Sequence, residues 1–272
     1  MQYKVLALDL DGTLTNNAKV ITPRTKAALQ AAADRGVRIV LASGRPTVGI
    51  ESLAKELELD RRGGCILSYN GGKIIDCKTG ETLVQHEFPP ELIDPVCTFA
   101  RYWNVMPLTY DAKGIVTEDA ANPYVGEEAR INKIPARQVE NLPAEIQWPI
   151  NKLLLVGDPV DMPHVEELMQ QKFAGKLSIY RSAPFFIETM PLGVEKSASL
   201  ALLLKNMGLG PENLMACGDG WNDLPMIRYA GMGVAMGNAV PEVKQAAKYV
   251  TADNEHDGVG LAVEKFILED PQ

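Results

Sequence analysis

The sequence has few cysteines and histidines and no long apolar run. Its four cysteines stand apart without any CxxC spacing, so we expect free thiols in a reducing compartment rather than disulfides or a metal site. These are Cys65, Cys77, Cys97 and Cys217. Apolar stretches stay shorter than a membrane span, and Asp9 interrupts the first one before it could act as a signal peptide. We therefore expect a cytoplasmic protein.

An excess of positive charge is also missing. The 272 residues include 27 Lys and Arg against 35 Asp and Glu, which gives a formal net charge of −8. Nucleic acids and anionic membranes bind through Lys and Arg patches, so we expect neither as a partner. A small anionic ligand stays compatible with this balance, because it needs only a few local cations or a metal ion.

Both ends of the chain alternate strands and helices. KVLALDL, VRIVLASGR and CILSYNGG predict buried strands, and residues 22–36 and 46–59 predict helices between them. The same rhythm returns after about residue 190, where NLMACGDG predicts another buried strand. Such alternation is typical of a parallel sheet with helical crossovers.

The middle of the chain has a different texture. It predicts hairpins, short strands and helices, and residues 119–150 combine many prolines with weak periodicity. We predict an α/β fold: a Rossmann-like doubly wound parallel sheet formed by 1–82 and 190–272, with an inserted α+β domain of residues 83–189.

Polar residues follow three of the predicted core strands. Ligands of open α/β sheets bind outside the carboxyl ends of the strands, where these residues would meet. They are Asp9, Asp11, Ser43, Gly44, Arg45, Asp219, Asn222 and Asp223. A single Asp-Gly pair or Ser43 alone could equally serve a turn or a helix cap. The three strand ends together favour a ligand site.

The acids at these strand ends predict a bound cation. Several carboxylates crowded at one partly buried edge are unstable unless they take up protons or a cation neutralises them. Oxygen ligands with little His or Cys nearby favour Mg²⁺ over zinc. Lys196 opens a predicted helix, where the dipole prefers an acid. It is either a solvated lysine or one that faces the acids or an anion.

Four segments resemble, in order and spacing, the motifs of the haloacid dehalogenase superfamily: DLDGTL, LASGR, the lysine of GVEKSASL, and GDGWNDLPM. The insertion between the second and third motifs resembles a type C2 cap domain. SYNGG and GVAMGNA are similar to the Cof-type branch of sugar-phosphate phosphatases. The resemblance implies a Mg²⁺-dependent phosphatase of small phosphorylated metabolites, with a cap that excludes bulk water and supplies specificity.

The resemblance also implies catalytic roles. Asp9 would be the nucleophile that forms an aspartyl-phosphate, and Asp11 the general acid and then the general base. Ser43 would hold the phosphoryl oxygens, with the Gly44 amide nearby. Lys196 would balance the charge around the nucleophile and the phosphate.

The metal ligands implied by the resemblance come from separate motifs. Mg²⁺ would bind the carboxylates of Asp9 and Asp219 and the backbone carbonyl of Asp11. Asp223 would anchor the water shell of the metal. Whether Asp223 or Asn222 touches the metal directly stays open.

Three other side chains near the motifs keep two interpretations each. Asn222 would contact the phosphate or Lys196, and Arg45 would face the substrate or form a salt bridge in the core. Trp221 would touch the inserted domain or only cover its loop. Thr13 is expected to help orient the acids.

Other functions remain as alternatives. A phosphomutase would use the same aspartyl-phosphate, and a non-catalytic phosphometabolite-binding protein would keep the fold without the chemistry. A dinucleotide enzyme is disfavoured, because DxDG rather than GxGxxG follows the first strand. The substrate, and the choice between monomer and homodimer, stay open.

Overall fold

The structure is a computed structural model that describes residues 2–269, and the chain divides into two compact units. One unit comprises the residues up to Val84 and those from Glu195 onward, and the other comprises Gln85–Val194. The second unit is therefore an insertion into the first, and it overlaps the insert predicted at 83–189.

The helices and strands follow one another in three stretches of the chain. The first stretch holds β1 (Val5–Leu8), α1 (Pro23–Asp34), β2 (Arg38–Ala42), α2 (Glu51–Glu56), α3 (Leu59–Arg62), β3 (Gly64–Ser68), β4 (Lys73–Asp76) and β5 (Thr82–Gln85). The middle stretch holds α4 (Pro90–Tyr102), β6 (Met106–Tyr110), β7 (Ile115–Thr117), α5 (Pro123–Asn132), β8 (Ala136–Gln138), α6 (Leu142–Glu145), β9 (Leu153–Val156), α7 (Met162–Lys172), β10 (Leu177–Ala183) and β11 (Phe186–Pro191). The last stretch holds α8 (Lys196–Asn206), β12 (Leu214–Gly218), α9 (Leu224–Tyr229), β13 (Met232–Ala235), α10 (Pro241–Ala246), β14 (Tyr249–Val250) and α11 (Gly258–Val263), after which a π-helical turn spans Glu264–Leu268.

The first unit is built on an eight-stranded sheet with the order β14-β13-β12-β1-β2-β3-β4-β5. Pairing is parallel from β14 through β3, and β4 pairs antiparallel with β3. The α/β class with a parallel sheet is confirmed. The chain leaves β1 on one side for β2 and returns on the other at β12. This reversal of strand order is where open α/β sheets bind ligands.

Burial explains why β1 occupies the centre of the sheet. All four of its side chains, Val5 to Leu8, are 0% exposed, and its neighbours β2 and β12 are almost as deeply buried. A strand that is covered on both faces must be apolar throughout, which is the pattern of VLAL. Because β1 lies at the centre of the sheet, the residue that follows Leu8 is held at the carboxyl end of the central strand.

One helix prediction for this unit was wrong. The single helix expected over 46–59 is a 3₁₀ turn at Thr47–Gly49 followed by α2, and α3 begins only after Glu58. Glu58 has a left-handed backbone (φ 57°), which ends α2 and redirects the chain. Apolar periodicity continues across such a break, so the sequence pattern did not reveal it.

Within residues 2–269, no helix combines the length and the apolar character needed to cross a membrane.

The second unit has its own sheet and its own core. Its six strands have the order β10-β11-β9-β6-β7-β8, and every pair is antiparallel except β7 with β8. Apolar residues of α4 and α7 pack with Leu153, Leu155 and Ile187 in a separate hydrophobic cluster. The proline-rich stretch 119–150, where periodicity is weak, forms the short elements α5, β8 and α6.

Candidate active site

Three strand ends of the first unit lie side by side. Asp9 directly follows β1, Ser43 follows β2 and Asp219 follows β12, and these strands are adjacent in the sheet. The amide of Asp9 still donates to the carbonyl of Cys217 at 3.1 Å, so the parallel pairing extends one residue past β1. The edge predicted from sequence therefore exists, and it gathers side chains from distant parts of the chain.

Lys196 is fully buried and bridges two of the acids. Its Nζ lies 2.6 Å from Asp9 Oδ1 and 2.6 Å from Asp223 Oδ1. Lys196 opens α8 and is 0% exposed, while Asp9 and Asp223 are 6% and 0% exposed. Of the two interpretations left open for this lysine, the structure supports the one in which it faces the acids. A buried ammonium held by two carboxylates is a paired charge rather than a solvated one.

Asp219 is held by the loop that follows β1 and by a second loop. The Thr13 hydroxyl donates to Asp219 Oδ1 at 2.8 Å, and Asn238 Nδ2 lies 3.4 Å from Oδ2. Asn238 Nδ2 also donates to the carbonyl of Gly12 at 2.8 Å. Asp223 Oδ2 accepts the amides of Asp219 and Gly220, each at 3.0 Å. These two hydrogen bonds to Asp223 close the loop of the fourth motif, residues 219–223.

The titration of these groups reflects their crowding. Burial, together with the charge of Asp223, raises the pKa of Asp9 to about 8 despite the opposing effect of Lys196. Burial also raises the pKa of Asp219 to about 6, although the Thr13 hydrogen bond opposes the shift. Burial lowers the pKa of Lys196, but Asp223 and Asp9 outweigh it and hold that pKa above its usual range. The site carries more negative charge than Lys196 alone neutralises.

These acids fit a divalent metal ion. Asp9, Asp219 and Asp223 each offer a carboxylate oxygen, and the three oxygens lie within 4.8 Å of one another. An all-oxygen set is the donor type that Mg²⁺ prefers. Both oxygens of Asp223 already have partners, Lys196 and the two amides, which suits an indirect role. The side chain of Asp11 is not part of this cluster.

Asp11 faces two cations instead. Arg45 donates to it twice, from Nε to Oδ2 at 2.8 Å and from Nη2 to Oδ1 at 2.6 Å, and Lys19 Nζ lies 2.6 Å from Oδ1. Burial raises the pKa of Asp11, but these hydrogen bonds outweigh it and hold the pKa below the usual range. Of the two interpretations of Arg45, the structure supports the salt bridge, and Lys19 was not predicted.

The turn after β2 is packed against the loop after β3. Ser43 is 3% exposed, and its Oγ accepts the amide of Arg45 at 3.2 Å. A Cβ added at Gly44 would lie 3.0 Å from Asn70 Nδ2, so a larger residue there would press on the Asn70 side chain. Asn222 Nδ2 donates to Asn70 Oδ1 at 3.1 Å. The partner of Asn222 is therefore Asn70 and not Lys196.

Asn70, Asn238 and Lys19 were missed as site residues. Asn70 lies in SYNGG and Asn238 in GVAMGNA, segments that the sequence linked to a family without assigning a role to either side chain. Tyr69 and Asn70 both have left-handed backbones (φ 53° and 52°), a strained conformation that is common at functional sites. The Asn-Gly-Gly run was the signal for this turn. Lys19 carries no comparable signal.

The side chains that sequence reasoning left without a role lie mostly apart from this edge. His86 and His164 belong to the second unit, where the His164 ring stacks edge-on with Trp103. Cys217 is fully buried on β12, and burial raises the pKa of its thiol to about 12. Trp221 is 60% exposed, next to Asn222.

Similarity to known proteins agrees with this geometry. The family model for haloacid dehalogenase-like hydrolases matches residues 6–263. A solved structure of a haloacid dehalogenase-like hydrolase from Bacteroides thetaiotaomicron is 45% identical, with a TM-score of 0.94 over 97% of this chain and 99% of that one. A Thermotoga maritima structure is 28% identical, with a TM-score of 0.89 over 98% and 100%. The 5-amino-6-(5-phospho-D-ribitylamino)uracil phosphatase of Bacillus subtilis is 30% identical over 98% of this chain and 97% of that protein.

Proposed function

Because the chain belongs to the haloacid dehalogenase-like hydrolase family, we propose that it is a Mg²⁺-dependent phosphatase of small phosphorylated metabolites that works through an aspartyl-phosphate. The observation that carries the proposal is the contact of Lys196 with Asp9 beside Asp219 and Asp223. A carboxylate attacks an anionic phosphate only where cations offset the repulsion. At this edge of the sheet Lys196 supplies one cation, and the acids can bind another.

Asp9 is the proposed nucleophile. Its carboxylate follows β1 directly and is held at Oδ1 by the Lys196 ammonium, which leaves Oδ2 to attack phosphorus. Lys196 also offsets charge as the phosphoryl group approaches. Ser43 and the Gly44 amide, in the adjacent turn, are proposed to bind the phosphoryl oxygens.

The carboxylates of Asp9 and Asp219 would hold Mg²⁺, with the Asp11 carbonyl as a further ligand, and Asp223 would support its water shell. When bound, it supplies positive charge that draws the phosphate to Asp9 and stabilises the transition state. Thr13 and Asn238 hold the Asp219 carboxylate for that task. Asp11 is proposed to protonate the leaving oxygen and then to activate the water that hydrolyses the aspartyl-phosphate.

The inserted residues 83–189 remain the proposed cap domain, which supplies specificity for the leaving group. The substrate is proposed to be a sugar phosphate or a related phosphomonoester. The relative from Bacillus subtilis is named for a ribitylamino-uracil phosphate, and this compound belongs in a substrate panel beside hexose phosphates, pyridoxal phosphate and flavin mononucleotide.

The test is a phosphate-release screen over this panel with Mg²⁺, run on the wild-type chain, on Asp9→Asn and on Asp60→Asn. Asp60 is an exposed acid of α3 and serves as the matched control. We expect Asp9→Asn to abolish turnover, Asp60→Asn to keep it, and EDTA to stop it reversibly. Turnover that survives in Asp9→Asn would refute the nucleophile. An isomerised substrate without released phosphate would indicate a mutase instead.

A further inference from the structure

Asp11, Arg45 and Lys19 form a cluster of three charges beside the proposed nucleophile. Each Asp11 oxygen accepts a hydrogen bond from the Arg45 guanidinium, and Oδ1 also accepts one from Lys19 Nζ. The Arg45 side chain is 11% exposed, whereas those of Asp11 and Lys19 are 38% and 48% exposed. Among residues 2–269 the Arg45 guanidinium has no hydrogen-bond or ion-pair partner besides Asp11.

This pairing conflicts with the work proposed for Asp11. To exchange a proton with a leaving oxygen or a water, the carboxylate must turn at least one oxygen away from the two cations. That turn would leave the nearly buried Arg45 charge without a counterion, which is strongly unfavourable in a protein interior. Asp11 can therefore leave only if another anion takes its place against Arg45.

The phosphoryl group is the anion that the geometry favours. Arg45 directly follows the Ser43-Gly44 turn, and its backbone amide donates to Ser43 Oγ at 3.2 Å. A guanidinium fork beside an ammonium matches a tetrahedral oxyanion, because two parallel N–H donors and a point charge suit its several oxygens. The two cations thus adjoin the turn that is proposed to hold the phosphate.

Lys19 is held in place by its own loop. Its backbone is left-handed (φ 59°), and its amide donates to the Asn16 carbonyl at 2.9 Å. The Asn16 side chain in turn accepts the amide of Val20 at 3.2 Å. A turn closed in this way presents the lysine toward Asp11, so that the ammonium acts from a defined position.

We propose that Asp11 is an internal competitor of the phosphoryl group for Arg45 and Lys19. Before substrate binds, the two cations hold the Asp11 carboxylate. The phosphate oxygens then replace it, and the released Asp11 carboxylate takes a proton from solvent water, which it donates to the leaving oxygen. Arrival of the phosphate and readiness of the acid are thereby coupled. The inference rests on the proposed function, and it adds Lys19 to the residues that bind phosphate.

The first test uses inorganic phosphate, titrated calorimetrically into the Mg²⁺-loaded protein. We expect Lys19→Met to weaken phosphate binding about fivefold and Lys19→Arg to restore most of it, since charge at this position is what matters. Lys26→Met removes a half-buried lysine of α1 that pairs with Glu56 at 3.7 Å, and it is expected to leave phosphate affinity unchanged. Equal phosphate affinity in the wild type and in a folded Lys19→Met would overturn the inference.

The second test measures competition itself. Asp11→Asn removes the competitor's charge, so phosphate should bind about tenfold more tightly in the otherwise wild-type chain. In the Lys19→Met background Asp11 is held less firmly, and the gain from Asp11→Asn should be clearly smaller. Equal gains in both backgrounds would mean that Asp11 acts only through its charge at a distance, and the inference would fail.

The outcome can be separated from that of the proposed function. Both titrations measure binding and do not require turnover, and melting temperatures show whether each variant is folded. The wild-type chain could release phosphate from a substrate while Asp11→Asn raises phosphate affinity equally in the wild-type and Lys19→Met backgrounds. In that case the phosphatase stands and the competition is refuted. If no substrate turns over, the phosphatase is refuted, and with it the inference that depends on it.

Discussion

Lys196 Nζ lies 2.6 Å from Asp9 Oδ1, although the two residues are 187 positions apart in the chain. The contact joins the first residue of α8 to the residue after β1, so it forms only when the two chain segments that build the core sheet come together. Neither residue has a local reason to be buried. Each is stabilised by the other, and the pair depends on the fold as much as the fold depends on it.

Removing the ammonium should disturb both stability and activity. Lys196→Met leaves Asp9 and Asp223 buried without their cation, so we expect the free energy of unfolding to fall by about 3–5 kcal/mol. We expect kcat/KM to fall at least ~100-fold, because the charge opposite the phosphate is lost. Urea unfolding and phosphate release measure the two effects. Lys205→Met, an exposed lysine of the same helix, should change neither by much.

Gly12 should be needed for two separable reasons. Its backbone is left-handed (φ 87°), and an added Cβ would clash with Asp219 Oδ2. Gly12→Ala is therefore expected to cost about 1 kcal/mol through its backbone and, in addition, to displace Asp219 and suppress activity. Gly80→Ala has a similar backbone (φ 73°) with no atom within 4 Å of the new Cβ. It should show the stability loss alone, and equal activity of the two variants would contradict the close contact.

Thr13 should act through the proposed Mg²⁺ site. Its hydroxyl holds Asp219 Oδ1 at 2.8 Å, and losing such a support from a ligand usually costs 10- to 100-fold in metal affinity. We expect Thr13→Val to raise the Mg²⁺ concentration for half-maximal activity about tenfold, while Thr13→Ser keeps the hydrogen bond and the affinity. The readout is activity as a function of Mg²⁺ concentration. If Thr13→Val leaves the Mg²⁺ concentration for half-maximal activity unchanged, the Thr13 hydrogen bond does not support metal binding.

The second unit should contribute a pH dependence of stability through Glu128. Burial raises the pKa of Glu128 above its usual 4.5, although Lys152 and the Tyr110 hydroxyl oppose the shift. The folded chain therefore holds this proton more tightly than the unfolded chain, and stability is lost as the pH rises from about 4.5 through the folded pKa. Glu128→Gln carries no such charge, so its advantage over the wild type should grow with pH in urea unfolding.

The neighbouring acid provides the control for that measurement. The Glu127 side chain is 32% exposed, and the Arg130 hydrogen bond holds its pKa below the usual range. The sign is therefore reversed: Glu127→Gln should lose stability relative to the wild type as the pH rises from the lowered folded pKa to 4.5, and the difference should stay constant above 4.5. If the two variants follow the same pH trend, burial of Glu128 is not the cause.

The sequence predicted the parallel sheet and the edge of that sheet at which the motifs meet. Buried strands of a parallel sheet are continuously apolar, so β1 and β12 were visible as runs of sequence, and the acids stood directly after them. The helix break at Glu58 and the short elements of 119–150 were not visible. They depend on the backbone conformation of single residues and on packing, and neither produces a periodic pattern of apolar residues in the sequence.

The sequence by itself determined which residues arrive at this edge, because strand order and the last apolar residue of each strand fix their positions. Only the tertiary structure decided which partner each charge takes. Lys196 pairs with Asp9 and Asp223, whereas Arg45 and Lys19 pair with Asp11. Ion pairs form between side chains whose loops meet in space, and the conformations of those loops are set by contacts that the local sequence does not encode.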